Sequence, residues 1–227
     1  MNYYSEKLSA ERLEKCYEIA PPRIRQYLKA EIDYIRSVIP PTSRVLELGC
    51  GYGRIFKDLA HHCKLLAGID ISVENLKLAK SLLIRYHNIF LCEMNAVELG
   101  FKDNSFDVVL CIQNGLSAFH ENPLTLMQEA IRITRPGGFA LFSGYSDKIW
   151  DARLEWFIRQ SEYGLLGEID HNATGNGKIV CKDGFRATTF RPDDFTRMAA
   201  RLGVTPTITE VDDSCLFCRI EAQNNFE

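Results

Sequence analysis

The chain has 227 residues, 46% of them hydrophobic, and a formal net charge of −3, which is enough apolar material for a full core and no excess basic charge for a nucleic-acid partner. The N-terminal stretch MNYYSEKLSAERLEK is too polar for a secretory signal, and no apolar run approaches the ~20 residues that span a bilayer. The cytoplasm is therefore the expected location, with no membrane role.

Residues 1–43 read as a helical N-terminal segment. Ile24, Tyr27, Leu28, Ile32 and Ile35 recur at helical spacing; Pro21 and Pro22 suit the start of that helix, and Pro40 and Pro41 stop it. From Arg44 the pattern alternates. RVLELG is a short apolar strand running into glycines, and GRIFKDLAHHC is a helix that should leave His61 and His62 exposed at its end. KLLAGID is a second strand, followed by the helix SVENLKLAKSLL with Ser72 as its cap. NIFLCEM is a third strand, and FDVVLCIQN a fourth, apolar enough to be covered on both faces. Asn122 and Pro123 open the helix PLTLMQEAIRIT, RPGG ends it, and FALFSGY is a fifth strand. After a further helix around Trp150 and Trp156, residues 165–190 break the alternation. Asn176-Gly177 and Asp183-Gly184 mark turns, the latter between KIVC and FRATTF as in a hairpin. The helix RPDDFTRMAARLG and the strands TPTITEV and SCLFCRIEA close the chain.

This order predicts an α/β fold: a doubly wound, seven-stranded, mostly parallel sheet with a helical N-terminal segment and a small β insertion. Residues 44–227 form the main domain, with the insertion at 165–190. The eight cysteines lie mostly in apolar runs and read as buried free thiols. Cys215 and Cys218 form a CxxC, but three-residue spacing on a strand sends the two side chains to opposite faces, and no metal site is indicated.

The sharpest motif is VLELGCGYGR at 45–54. A strand carrying Glu47 runs into Gly49, Gly51 and Gly53 at alternate positions, then a helix. Glycines permit the tight turn and let a ligand approach the backbone at the carboxyl edge of an open sheet. A dinucleotide site would want glycine where Arg54 stands. With its E-x-G-x-G-x-G spacing, Asp70 ending GIDIS, and NAVELGFKDNSFDVVL, the chain resembles the class I S-adenosylmethionine-dependent methyltransferases, in particular the group acting on small molecules. The resemblance covers about residues 44–144 and extends more loosely to the C-terminus.

It implies a Rossmann-like methyltransferase fold, S-adenosylmethionine as cofactor, and methyl transfer to a small-molecule acceptor. The loop residues Glu47, Gly49, Cys50, Gly51 and Gly53 would hold the cofactor, with Asp70 and Ile71 at the ribose. Asn95 and Ala96 would flank the adenine, Asn95 replacing the family's usual aspartate. Gln113 and Asn114 would face the methionine moiety and the methyl. In-line displacement at a sulfonium needs positioning more than acid–base chemistry, so no catalytic signature is required. His120 is the candidate base nearest the fourth strand; His171 and Glu168 lie in the insertion. Tyr3 and Tyr4 are candidates for a lid, and Trp150 and Trp156 for the acceptor pocket, expected between the cofactor, residues 1–20 and residues 165–190. Two alternatives stay open. One is a different transferase using the same cofactor, such as an aminopropyl transferase, which would want acids where Gln113 and Asn114 stand. The other is a non-catalytic module that keeps the cofactor loop for regulation.

Overall fold

A computed structural model describes residues 3–223. The N-terminal segment forms helices α1 (Tyr3–Lys7), α2 (Glu11–Glu18) and α3 (Pro22–Val38). The alternating region follows as β1 (Arg44–Leu48), α4 (Phe56–Leu59), β2 (Leu65–Asp70), α5 (Val73–Leu82) and β3 (Ile89–Glu93). Next come β4 (Phe106–Cys111), α6 (Gly115–Ala118), α7 (Pro123–Ile133), β5 (Thr134–Tyr145) and α8 (Trp150–Glu162). The insertion carries β6 (Lys178–Val180) and β7 (Arg186–Thr188), and the chain closes with α9 (Pro192–Arg201), β8 (Thr207–Val211) and β9 (Cys215–Glu221).

The main sheet has seven strands in the order β3-β2-β1-β4-β5-β9-β8. Every pair from β3 to β5 is parallel, whereas β9 runs antiparallel to both β5 and β8. Consecutive connections reverse direction between β1 and β4, so the loops after these two strands diverge and leave a crevice at the carboxyl edge. One face of the sheet is covered by a cluster that includes Ile24, Tyr27 and Ile35 of α3 and Trp156 of α8. The other face holds Leu126 and Met127 of α7 and Phe195 of α9. Cys215 belongs to the first cluster and Cys218 to the second, as the strand period requires; all eight cysteines are free.

Local signals place the helices. Ser72 Oγ accepts from the Asn75 N–H at 3.3 Å to start α5, and Asn122 Oδ1 accepts from the Leu124 N–H at 3.0 Å to start α7, with Pro123 at the first helical position. In the insertion, the Asp183-Gly184 turn joins β6 to β7, with Val180 paired to Arg186.

Three details differ from the sequence reading. The RPGG segment does not merely end α7: strand pairing already begins at Thr134, with a register shift opposite Phe106–Val108. A Cβ on Gly138 would lie 2.2 Å from the Asp107 carbonyl oxygen, so glycine there serves close approach of two backbones. His62 is not exposed; it is half-buried, with Nε2 2.7 Å from the Ile39 carbonyl oxygen, because α4 is short and turns back beneath α3. On α3 the buried stripe is Ile24, Tyr27, Glu31 and Ile35, so a glutamate takes the central position expected for Leu28 and Ile32, which pack only partly.

Candidate active site

The loop after β1 turns on Gly49 and Gly51, with φ of 68° and 55°, a region that only glycine enters without strain. A Cβ on Gly49 would also press to 2.8 Å from the Phe119 ring. The loop is pinned to the end of β2: the Gly51 N–H donates to Asp70 Oδ2 at 2.9 Å. Asp70 Oδ1 accepts from the Ser72 N–H at 2.8 Å and from Asn75 Nδ2 at 3.3 Å. Burial raises the Asp70 pKa and these hydrogen bonds work against it. Of the two oxygens, Oδ1 accepts from two of these donors and Oδ2 from one, so Oδ2 is the oxygen with room to accept from a ligand's hydroxyl.

A cavity of about 110 Å³ opens where the β1 and β4 loops diverge. Of the residues singled out from sequence, Glu47, Gly49, Cys50, Gly51, Asp70, Ile71 and Gln113 line it. Gly53 stands behind the loop, where a Cβ would come 2.7 Å from Leu83. Asn114 lies at a neighbouring cavity instead. Asn95 and Ala96 are outside the walls of both: Asn95 is exposed, its Oδ1 accepting from the Val97 N–H at 3.2 Å in a local turn, and Ala96 is buried in the core. His120 and His171 are exposed and line neither cavity.

Other residues complete the first cavity. Leu13 and Tyr17 come from α2, Arg54 follows the glycine loop, Asn75 belongs to α5, and Phe119 follows α6. Arg54 Nη2 meets Glu31 Oε2 at 2.6 Å, and Glu31 Oε1 accepts from the Gln113 N–H at 2.9 Å and the Ser143 hydroxyl at 2.6 Å. Burial opposes the charge on Arg54, but Glu31, Tyr17 and Glu47 more than offset it and its pKa lies above the usual value. Glu47 is 6% exposed; burial drives its pKa well above the carboxylate range, opposed by Arg54 and reinforced by Glu31 and Asp70. Glu47 Oε2 and Arg54 Nη1 are both buried with no hydrogen-bond partner among the described residues. Buried polar atoms of this kind call for a ligand that completes their hydrogen bonds, since an unmet buried polar group is destabilising.

The second cavity, of about 30 Å³, shares Leu13, Tyr17, Gln113 and Ala118 with the first. Gln113 stands at the boundary, its Oε1 accepting from Tyr17 Oη at 3.1 Å and its Nε2 donating to Tyr145 Oη at 2.7 Å. Leu8 and Cys16 of the N-terminal segment, Trp156 of α8, and Phe185 and Ala187 of the insertion line the rest. Both segments outside the alternating pattern thus reach one cavity. Tyr3 contributes from behind: it packs edge-on to Phe185 at 5.1 Å and donates to Asp183 Oδ2 at 2.6 Å. The side chain of Tyr4 lies outside what the structure describes.

No helix among the described residues is long and apolar enough to cross a membrane. Residues 46–142 match a family model described as a methyltransferase domain. A 2-methyl-6-phytyl-1,4-hydroquinone methyltransferase of Synechocystis is 26% identical over 137 residues, covering 56% of this chain and 42% of that protein. The chain spans about half the length of the curated relatives it matches. Among solved structures, a protein of Pyrococcus horikoshii superposes with a TM-score of 0.64 at 18% identity, covering 97% of this chain and 98% of the other. A complex described as DhpI-SAM-HEP gives a TM-score of 0.64 at 18% identity, covering 96% and 94%. At this identity the structural likeness establishes the fold.

Proposed function

We propose that the chain, whose residues 46–142 match a methyltransferase-domain family model, is a class I S-adenosylmethionine-dependent methyltransferase and transfers a methyl group from S-adenosylmethionine to a small-molecule acceptor. The observation that carries this reading is that two side-chain atoms of the first cavity's wall, Glu47 Oε2 and Arg54 Nη1, are buried with no hydrogen-bond partner among the described residues, beside Asp70. The cofactor's methionine end has an ammonium and a carboxylate, and its ribose has two hydroxyls. Glu47 suits the ammonium, Arg54 the carboxylate, and Asp70 a ribose hydroxyl. The glycine loop, free of Cβ atoms, gives the ligand room against the backbone.

When bound, the cofactor supplies a methyl already activated by a positive sulfur. The chain then has to orient the acceptor and exclude water. Gln113, fixed through both ends of its amide, sets the boundary between the cavities. Leu13 and Tyr17 of α2 roof that boundary.

The test is calorimetry with S-adenosylhomocysteine and, as control, NAD. S-adenosylhomocysteine, the product of the transfer, should bind and raise the melting temperature by mass action, and NAD should do neither. Asp70→Ala should weaken binding by about tenfold to a hundredfold, the loss of charge-assisted hydrogen bonds of about 1.5–3 kcal/mol. NAD binding without S-adenosylhomocysteine binding would defeat the proposal.

A further inference from the structure

The two edges of the main sheet are finished differently. β8, at one edge, carries Thr207, Thr209 and Glu210, and Glu210 pairs with Lys148 at 2.7 Å. β3, at the other, reads Ile-Phe-Leu-Cys before its first charge at Glu93, with no proline, lysine or bulge in it. Those are the devices that keep a free edge from pairing with another strand. Ile89 and Leu91 pack into the core cluster that holds Ala79 of α5, so Phe90 and Cys92 point to the opposite face. The connection from β3 to β4, residues 94–105, contains no helix to cover that face. Phe90 is 58% exposed, and Ile84, in the turn that leads into β3, is 80% exposed.

The backbone of β3 addresses its two sides in a fixed alternation. The Leu66 N–H donates to the Asn88 carbonyl oxygen at 2.9 Å, and the Met94 N–H donates to the Asp70 carbonyl oxygen at 3.2 Å. Asn88, Phe90 and Cys92 therefore turn their N–H and C=O groups to β2, while Ile89, Leu91 and Glu93 turn theirs to the open side. Charge is ordered along the same edge. Arg85 and His87 precede the strand and Glu93 ends it, and all three are exposed.

We infer that β3 is the docking edge for a second copy of this chain, the two β3 strands pairing antiparallel about a twofold axis at Phe90. Ile89 of each copy then exchanges both backbone hydrogen bonds with Leu91 of the other, so the outward groups of the edge meet one another. Phe90 stands opposite its own counterpart as a non-hydrogen-bonded pair, the closest side-chain approach in an antiparallel ladder, and the two rings cover each other. Glu93 stands opposite His87, with Arg85 next along, and the symmetry makes this contact twice. Moving the axis to Leu91 would satisfy the backbone equally but set Glu93 against Ile89, so the charges select the register at Phe90. The carboxyl edges of the two sheets then face opposite ways, and each copy keeps its own ligand site; the inference is independent of the reaction proposed above.

The experiment is sedimentation of the full chain over a dilution series through the micromolar range, with far-UV circular dichroism to confirm that each variant is folded. The wild-type chain should sediment as a dimer that dissociates on dilution. Phe90→Lys sets two like charges face to face on the axis and should weaken the dimer by at least about tenfold. His87→Glu and Glu93→Lys each replace an opposite pair by a like one at an exposed site. Each should weaken it by about threefold to tenfold, since the contact occurs twice. The double variant His87→Glu with Glu93→Lys restores opposite charges and should return to within about threefold of the wild-type value. Rescue by the double reversal is what a merely damaged strand would not show. A wild-type chain that stays monomeric throughout overturns the inference. So does a dimer indifferent to Phe90→Lys and to both single reversals, which would lie on another surface, and so does a double variant no better than the singles, which would exclude the register at Phe90.

Discussion

Glu47 sits at the end of β1, where burial favours its neutral form in the ligand-free protein. The unfolded chain releases this proton near the ordinary carboxylate pKa, whereas the folded chain holds it to higher pH. Between these two values the folded state binds more protons, so stability from this residue falls as pH rises, and the full penalty is present above the folded pKa. Glu47→Gln removes the ionisation. It should leave the melting temperature nearly unchanged below the ordinary carboxylate pKa and raise it increasingly above. By pH 8 the gain should be several degrees, from relief of about 1–3 kcal/mol of buried, unsatisfied charge. The same change should weaken S-adenosylhomocysteine by about tenfold, because a charge-assisted contact to the ammonium becomes a neutral one. Scanning calorimetry across pH and isothermal titration give the two numbers. A Glu47→Gln protein destabilised at pH 8 would mean that the carboxylate has a partner in the folded state.

At the scale of elements, one residue of α3 ties that helix to three separate parts of the chain at the carboxyl edge of the sheet. Glu31 is fully buried and joins Arg54 after the glycine loop, Gln113 after β4 and Ser143 in β5. Removing one member of a buried ion pair leaves the other uncompensated, which is destabilising by about 3–5 kcal/mol, whereas an apolar replacement of both can be neutral. Glu31→Ala should therefore lower stability in urea by about that amount, while Glu31→Met combined with Arg54→Met should recover much of it and still bind S-adenosylhomocysteine poorly for want of Arg54. Equal stability of the single and double variants would show that the pair is not coupled. Glu31 also marks the limit of what the sequence discloses. The glycine loop, Asp70 at a strand end, the Asn122-Pro123 start of α7 and the Asp183-Gly184 hairpin are written in adjacent residues, so local chemistry suffices to find them. Glu31 meets Arg54 across 23 positions and Gln113 across 82, and only assembly of the fold brings them together. A trace was present: a stripe at 24, 27, 31 and 35 has the spacing of a helix face, and its single acid asks for a buried partner. Asn75 left a similar trace, since it stands three residues after the cap Ser72, but its use by Asp70 and by the Ala10 N–H at 2.6 Å comes from tertiary contact. Asn95 shows the converse: a position assigned by its place in a motif satisfies its own turn and faces solvent.

The molecule as a whole is a rigid sheet with two additions that meet above its carboxyl edge. Lys7 pairs with Asp183 at 3.6 Å, Tyr3 donates to the same carboxylate, and Arg12 donates to the carbonyl oxygens of Gly164 and Leu165 at 2.7 and 3.1 Å. These contacts are exposed or partly so, and each contributes little alone. Residues 3–18 are held in addition by Leu8 and Cys16 in the core, by the Ala10 N–H on Asn75 Oδ1, and by the Cys16 carbonyl oxygen accepting from Trp156. Segments that wall a ligand site open less often once the site is filled. Hydrogen exchange should accordingly show protection of 3–18 and 165–188 rising together on addition of S-adenosylhomocysteine, with β4 and β5 already protected and unchanged. Asp183→Ala removes the shared acceptor of Tyr3 and Lys7. It should raise exchange in both segments at once in the ligand-free chain and weaken S-adenosylhomocysteine by about threefold to tenfold, the size of one or two weak contacts of about 1 kcal/mol each. The two segments act as one roof if they respond as a pair. Protection that changes in 3–18 while 165–188 stays constant would show instead that the helices close over the ligand alone, and that the insertion is a fixed wall of the second cavity.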